Sequence, residues 1–349
     1  YWKGILSHNL KENATYREAC RIGEEFARYG GHLKNLKKKA PAALLLSNEA
    51  LTGLQWFKIH DNLQYNDIVR WIYDALYELN IECDVLSCND VDLFSQYNLL
   101  ITPALYSASE TVIDALRAYV EQGGHLFSTF KTAFSDPMLK IYADDQPHRL
   151  TDVFGMTYDQ FTDAVSVGLE NIAFPLLGES VNTPGRTAAD ASGHTDAGHA
   201  TDGPTVHYWM ELLQTDTAET LASYKHPHWG SYAAVTYNHF GRGCAAYAGC
   251  YFDKSILKDL LRFLCEKAGI PLPETVFPVI IKRGVNETGR EITYLFNYSD
   301  ETRSVVWRGK DCTPLIGSDN NKAPEQSTVR DGDTLSLSGW DLAALESRE

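Results

Sequence analysis

The chain has 349 residues, 44% hydrophobic and 22% charged, with 31 basic against 46 acidic side chains and a formal net charge of −15. That length supports two or three domains, each with its own core. The acidic balance argues against a nucleic-acid surface, which needs clustered Lys and Arg, and no apolar run approaches the roughly 20 residues of a membrane-spanning helix.

The chain opens YWKGILSHN. Termini fray unless they are tied down, so two large aromatics at Tyr1 and Trp2 are expected to belong against a packed surface. No signal-peptide pattern is visible. Residues 15–39, TYREACRIGEEFARYGGHLKNLKKK, read as a helix. Thr15 with Glu18 has capping-box spacing, and Ala19, Ile22, Phe26 and Leu33 share one face. Gly30-Gly31 weakens the run and Pro41 ends it. The basic run Lys34 to Lys39 suits a solvated helix end, where cations complement the dipole.

An alternation follows. AALLLS (42–47) is a continuous apolar strand, and Asp67 to Leu79 is an amphipathic helix with Ile68, Trp71, Ile72, Ala75 and Leu79 at helical spacing. IECDVLS (81–87) and YNLLITPAL (97–105) are strands. Ser109, with Glu110, starts the helix TVIDALRAYVEQ, and Gly123-Gly124 stops it before the strand HLFSTF (125–130). Unbroken apolar strands in β-α-β-β-α-β order predict an α/β fold with a parallel sheet covered by helices on both faces, a flavodoxin-like layer.

From about 156 to 206 this pattern fails. VNTPGRTAADASGHTDAGHATDGPT (181–205) has almost no large apolar residues and reads as a surface excursion. SYAAVTYNHFGRGCAAYAGCYF then predicts a hairpin around the turn Asn238 to Gly243. Asp253 is placed to cap the helix 254–269, and PLP (271–273) reads as a linker. After Pro273, short β-rich segments alternate with turns at Asn286-Glu287, Ser299-Asp300 and Asp331-Gly332, which predicts a small antiparallel sandwich or barrel.

The residues offer several candidates for chemistry, each with a plain structural alternative. Asn48-Glu49 lies just past the first strand, where open α/β sheets place their sites. Retaining glycoside hydrolysis needs two carboxyl groups about 5 Å apart. The other strand ends supply Ser87, Pro103 and Phe130 to Thr132, and Asp84 sits within its strand, so Glu49 reads as a loop or helix-capping carboxylate. Ser128 and Thr129 could form a nucleophile elbow of the kind class I glutamine amidotransferases place on this layer. Their flanking Phe127 and Phe130 are too bulky for so sharp a turn. His194, His199, His207, His226 and His228 cluster in sequence without the spacing of a tetrahedral metal site. Gly241-Arg242-Gly243 is flanked by strands and reads as a turn rather than a phosphate loop. Trp56, Trp71, Trp209, Trp229, Trp307 and Trp340 suit sugar platforms, subunit interfaces or core alike. The seven cysteines, Cys20, Cys83, Cys88, Cys244, Cys250, Cys265 and Cys312, lack CxxC spacing and mostly sit in apolar stretches, as reduced thiols of a cytoplasmic protein do.

A resemblance organises these observations. YWKGILSHN followed by TYREACRIGEEFARYG resembles the exit from the catalytic barrel of family-42 glycoside hydrolases, the microbial β-galactosidases. PAALLLSNEALTGLQW, YNDIVRWIYDALYELNIECDVLS, YVEQGGHLFSTFKTAFSD and FGRGCAAYAGCYFD are similar to that family's middle, trimerisation domain, an α/β layer related to the amidotransferase fold. The tail containing YLFNYSD resembles its small C-terminal β domain. The resemblance implies three parts: 1–40 as the terminal helical segment of a (β/α)8 barrel, 41–272 as the trimerisation domain with an irregular insertion near 156–206, and 273–349 as a small β-sandwich. It further implies a homotrimer and a parent enzyme that hydrolyses terminal β-galactosides with retention and without an organic cofactor. The family's two catalytic glutamates match no position here, so no catalytic, cofactor-binding or metal residue is carried over. Tyr1-Trp2 then read as a cut edge, and the first helix is expected to dock on the α/β layer or on a neighbouring copy. The alternative is a free-standing carbohydrate-binding or amidotransferase-like protein.

Overall fold

Asn13, rather than Thr15, starts the first helix, α1 (Ala14–Leu33). Its carboxamide oxygen accepts from Tyr16 N at 2.9 Å, the N-cap bond that satisfies an orphan amide. Glu18 pairs instead with Arg21. The computed structural model describes residues 4–176, 203–316 and 328–348. The expectations for Tyr1, Trp2, His194, His199 and nearly all of 181–205 therefore lie outside the described residues. The chain divides into two units, one of Ala40–Glu274 and one of Tyr1–Lys39 with Thr275–Glu349.

The larger unit begins with β1 (Ala42–Leu46), α2 (Asn48–Trp56), α3 (Tyr65–Glu78), β2 (Cys83–Ser87), β3 (Leu99–Thr102), α4 (Glu110–Glu121) and β4 (His125–Thr129). β1 pairs in parallel with both β2 and β3, and β3 with β4. Side chains alternate across a strand, so Ala42 and Leu44 enter one core with Ile68, Ile72 and Leu76 of α3. Ala43 and Leu45 enter a second core with Ile113, Leu116 and Val120 of α4. Helices on both faces are why β1 is apolar at every position. Each leucine so enclosed contributes roughly 1.5–3 kcal/mol.

The unit continues with α5 (Thr151–Phe154), β5 (Met156–Thr157), β6 (Phe161–Thr162), β7 (Val167–Glu170), β8 (Thr205–Glu211), β9 (Gln214–Thr215), β10 (Glu219–Lys225), β11 (Ala233–Phe240), β12 (Gly243–Ala248), β13 (Cys250–Phe252) and α6 (Lys254–Lys267). The central sheet has eleven strands in the order β13-β8-β7-β10-β11-β12-β4-β3-β1-β2, with β6 beside β8. β12 is the pivot: it is parallel to β4 and antiparallel to β11. The expected parallel sheet is thus one half of a mixed sheet. The stretch near 156–206, read as irregular, contributes β5, β6 and β7 and leads into β8. Those strands are two to seven residues long, and the first three are too short to show a period. The predicted hairpin is β11–β12, with Phe240 opposite Gly243. A Cβ on Gly243 would lie 2.2 Å from Gly124 O, so this strand start needs glycine.

The smaller unit adds β14 (Val279–Val285), β15 (Glu291–Asn297), β16 (Arg303–Val306), β17 (Cys312–Ile316), β18 (Thr334–Leu337) and β19 (Leu342–Ser347). They form an antiparallel sheet β14-β15-β19-β17 and a ribbon β16-β18 over a core of Leu295, Val305, Trp307, Val329, Leu337 and Leu345. The last turns of α1 pack on this sheet, a surface outside the earlier expectation. Tyr29 and Leu33 meet Ile292, Leu315 and Ala344, and Asn286 Nδ2 donates to His32 O at 2.9 Å. Past the helix, Lys37 exchanges two 2.8 Å backbone bonds with Val285. The basic run therefore ends the helix at Leu33 and continues as a strand-like edge. Ile22 and Phe26 stay exposed.

Candidate functional site at the carboxyl edge of the parallel strands

Open α/β sheets bind ligands beyond the carboxyl ends of their parallel strands. After β1, Ser47 caps α2: its Oγ accepts from Ala50 N at 3.0 Å and lies 3.3 Å from Glu49 Oε2. Glu49 sits in the first turn of α2, where a carboxylate complements the helix dipole. Asp84 is spent inside the unit, accepting from Tyr97 Oη at 3.1 Å.

After β3 the backbone turns sharply at Ala104, which adopts φ 34°. This strained strand-end residue carries only a methyl group. Ala104 N donates to Thr129 Oγ1 at 2.8 Å, and Ser128 Oγ lies 2.5 Å from Thr102 Oγ1. Ser128 and Thr129 are fully buried. The sharp turn and the hydroxyls of HLFSTF therefore fall on different strands, and the hydroxyls hold β3 to β4.

After β4 comes a cluster that pattern reading does not single out. Lys131 and Ala133 both have positive φ, 62° and 54°. Lys131 N donates to Glu211 Oε1 at 2.8 Å, while its Nζ lies 3.8 Å, 3.4 Å and 4.7 Å from the ring centres of Phe134, Phe161 and Trp209. Those rings stabilise the ammonium through their negative faces. Glu211, on β8, is fully buried and accepts from Tyr247 Oη at 2.8 Å. Its carbonyl accepts from Tyr224 Oη at 2.7 Å. Burial pushes the Glu211 carboxyl up to about 7 against the pull of Lys131 and Tyr247. Burial likewise pushes the Lys131 ammonium down to about 8 against the attraction of Glu211. Lys131 is itself buried, so the pair ties the loop after β4 to β8 and offers no amine to solvent. The signals for it were a lone acid in the apolar run YWMELL and a lone lysine in FSTFKTAF.

His226 and His228 stand side by side, 5.7 Å between ring centres, while His194 and His199 lie outside the described residues. His207 Nε2 is 2.8 Å from Asp253 Oδ1, and the other oxygen of Asp253 accepts from Thr205 N at 2.7 Å. Asp253 makes no side-chain cap to α6; it anchors β8 instead. His226 stacks on Trp229. Among the described residues no group of three or more His, Cys, Asp or Glu is placed to hold a metal. His148 lies between Asp144 (2.7 Å) and Glu110 (3.0 Å) and stacks on Tyr142. This bracing joins the loop before α5 to the start of α4. Trp71, Trp209 and Trp307 are buried, while Trp56 and Trp340 are exposed. Of the seven free thiols, only that of Cys20 is exposed.

At this edge of the larger unit Lys131 thus lies among Phe134, Phe161 and Trp209 with its backbone N–H on Glu211. Residues 40–271 match the family described as the β-galactosidase trimerisation domain. The chain belongs to that family. The chain is 24% identical over 315 residues to β-galactosidase LacZ of Heyndrickxia coagulans, spanning 87% of this chain and 42% of that protein. It is 26% identical over 326 residues to β-galactosidase BgaP of Planococcus sp. (strain L4), spanning 91% and 44%. The crystal structure of β-galactosidase from Bacillus circulans sp. alkalophilus superposes with a TM-score of 0.82 at 21% identity, over 99% of this chain and 47% of that one. The chain thus spans less than half the length of these relatives. Among the described residues no helix is long and apolar enough to cross a membrane.

Proposed function

We propose that this chain is the assembly part of a retaining β-galactosidase, holding subunits in a homotrimer and supporting a catalytic barrel that supplies both glutamates. The observation that carries this reading is the trimerisation-domain match over 40–271, which coincides with the unit Ala40–Glu274. In this reading 1–40 is the closing helical segment of the barrel, 41–272 the assembly domain and 273–349 a small β-sandwich. The order β2-β1-β3-β4-β12 supports a flavodoxin-like layer, whose five strands run 2-1-3-4-5. A cytoplasmic location goes with free thiols throughout. Catalysis by this chain alone has little to build on: Ser128 is buried and Ala104 carries no nucleophile. Nor does this assignment give the chain nucleic acid or an organic cofactor as a partner.

Light scattering of the purified chain across a concentration series tests the assembly reading. A trimer mass is expected, and a clean monomer at every concentration would overturn it. The same sample should not turn over a nitrophenyl β-galactoside. Robust hydrolysis would place catalytic groups in this chain after all.

A further inference from the structure

Met138 is one of three methionines in the chain. It is 86% exposed, whereas Met156 and Met210 are buried. The turn that presents it is locked. Asp136 Oδ1 accepts from Met138 N and from Lys140 N, both at 2.9 Å, and Asp136 N donates to Lys140 O at 2.9 Å. Leu139, in the same turn, lies against α2 so closely that a Cβ on Gly53 would be 2.8 Å from its Cδ2. One helical turn beyond Gly53 stand Trp56 and then Phe57, 78% and 57% exposed. Ile141 follows Met138 and is also exposed, as is Phe161, which meets the same loop edge-on through Phe134. Of the nearby charges, Asp136 is held by its own turn and Lys58 pairs with Asp61 at 3.1 Å.

The geometry points to this apolar edge, built on Trp56, Phe57, Met138, Ile141 and Phe161, as the face that a second copy of this chain covers in the trimer. The inference rests on the assembly reading above and adds the surface that performs it. All five residues lie within the matched trimerisation region, 40–271. Large aromatics and Met concentrate at interface cores while charged side chains are depleted there, and contiguous exposed apolar patches mark such sites. A turn already fixed by its own hydrogen bonds loses little freedom on association. A three-fold ring is built from head-to-tail contacts, so this face meets a different surface of the next copy. Phe161, one of the rings that cage Lys131, belongs to both the cage and this face.

Met138 provides its own probe. Light scattering gives the mass of the wild-type chain, and peroxide treatment followed by peptide mass spectrometry gives the oxidation rate of Met138. The expected result is a trimer in which Met138 oxidises about tenfold more slowly than free methionine, since oxidation follows exposure. A variant carrying Trp56→Ser and Phe57→Ser should be monomeric, with unchanged far-UV circular dichroism and a rapidly oxidised Met138. Val85→Asp, at an exposed position on β2, should leave the trimer intact. A wild-type trimer whose Met138 oxidises as fast as free methionine overturns the surface but leaves the assembly reading standing. So does a trimer that survives both serine substitutions. A wild-type monomer overturns the assembly reading, and this surface with it. If the double variant does not fold, the wild-type oxidation rate decides.

Discussion

The two halves of the central sheet solve the same burial problem differently. In the parallel half, β1 and β3 are flanked by α3 and α6 on one side and α4 on the other, and their residues AALLL and LLIT are almost wholly enclosed. In the antiparallel half, β8, β10 and β11 bury hydrogen-bonded polar groups as well: Glu211, Tyr224 and Asn238. There the core is held by named bonds. Asn238 Nδ2 donates to Asp152 O and Val153 O at 3.0 Å each, fixing α5, and Glu211 takes bonds from Lys131 N and Tyr247 Oη. In the parallel half apolar area dominates, with the hydroxyls of Thr102, Ser128 and Thr129 bonded at the strand ends. A polar group enclosed in the same sheet must find a partner or cost a few kcal/mol.

Breaking the polar core should have the largest effect. Glu211→Ala leaves the buried Lys131 N and Tyr247 Oη without their acceptor and should cost roughly 2–5 kcal/mol in urea unfolding. The double variant Lys131→Met, Glu211→Leu should recover most of that loss, because removing both charges removes the desolvation cost as well. A double variant no more stable than the single one would show that packing, not charge, is at stake.

In the parallel half the corresponding test is Leu44→Ala, expected to cost about 3 kcal/mol as transfer energy plus a cavity. Measured by the same unfolding midpoints, a loss under about 1 kcal/mol would mean that the site collapses freely.

The pH dependence separates the halves further. Glu211 holds its proton up to about pH 7 in the folded chain, against an ordinary 4.5. The folded state therefore binds more protons than the unfolded one in that window, and stability falls as pH rises from 5 to 7. Relative to Glu211→Gln, the wild type should lose roughly 2 kcal/mol across that range. Urea midpoints that run parallel with pH for the two proteins would remove the effect. From about pH 8 upward Lys131, whose folded value is lowered, works in the opposite sense.

The smallest effect belongs to a local cap. Ser47→Ala removes the acceptor for Ala50 N and should cost about 1 kcal/mol. Its thermal midpoint, compared with that of Leu44→Ala three residues before the cap, places the local and core contributions on one scale.

The sequence alone determined what depends on near neighbours. The apolar runs that became β1, β3 and β4, the Ser109 cap of α4, the β11–β12 hairpin and the family resemblance were all legible, because period and turn chemistry act over a few residues. Tertiary structure decided the rest. Local spacing favoured Thr15, but Asn13 caps α1. Asp253, sequentially placed to cap α6, turns to Thr205 and His207 some 46 residues or more away. Lys131 and Glu211 are 80 residues apart and meet across the end of β12, where Phe130 N donates to Ala248 O and Glu211 N to Gly249 O. A buried charge is costly until its partner arrives, and a partner brought by sheet order leaves no periodic trace in the chain.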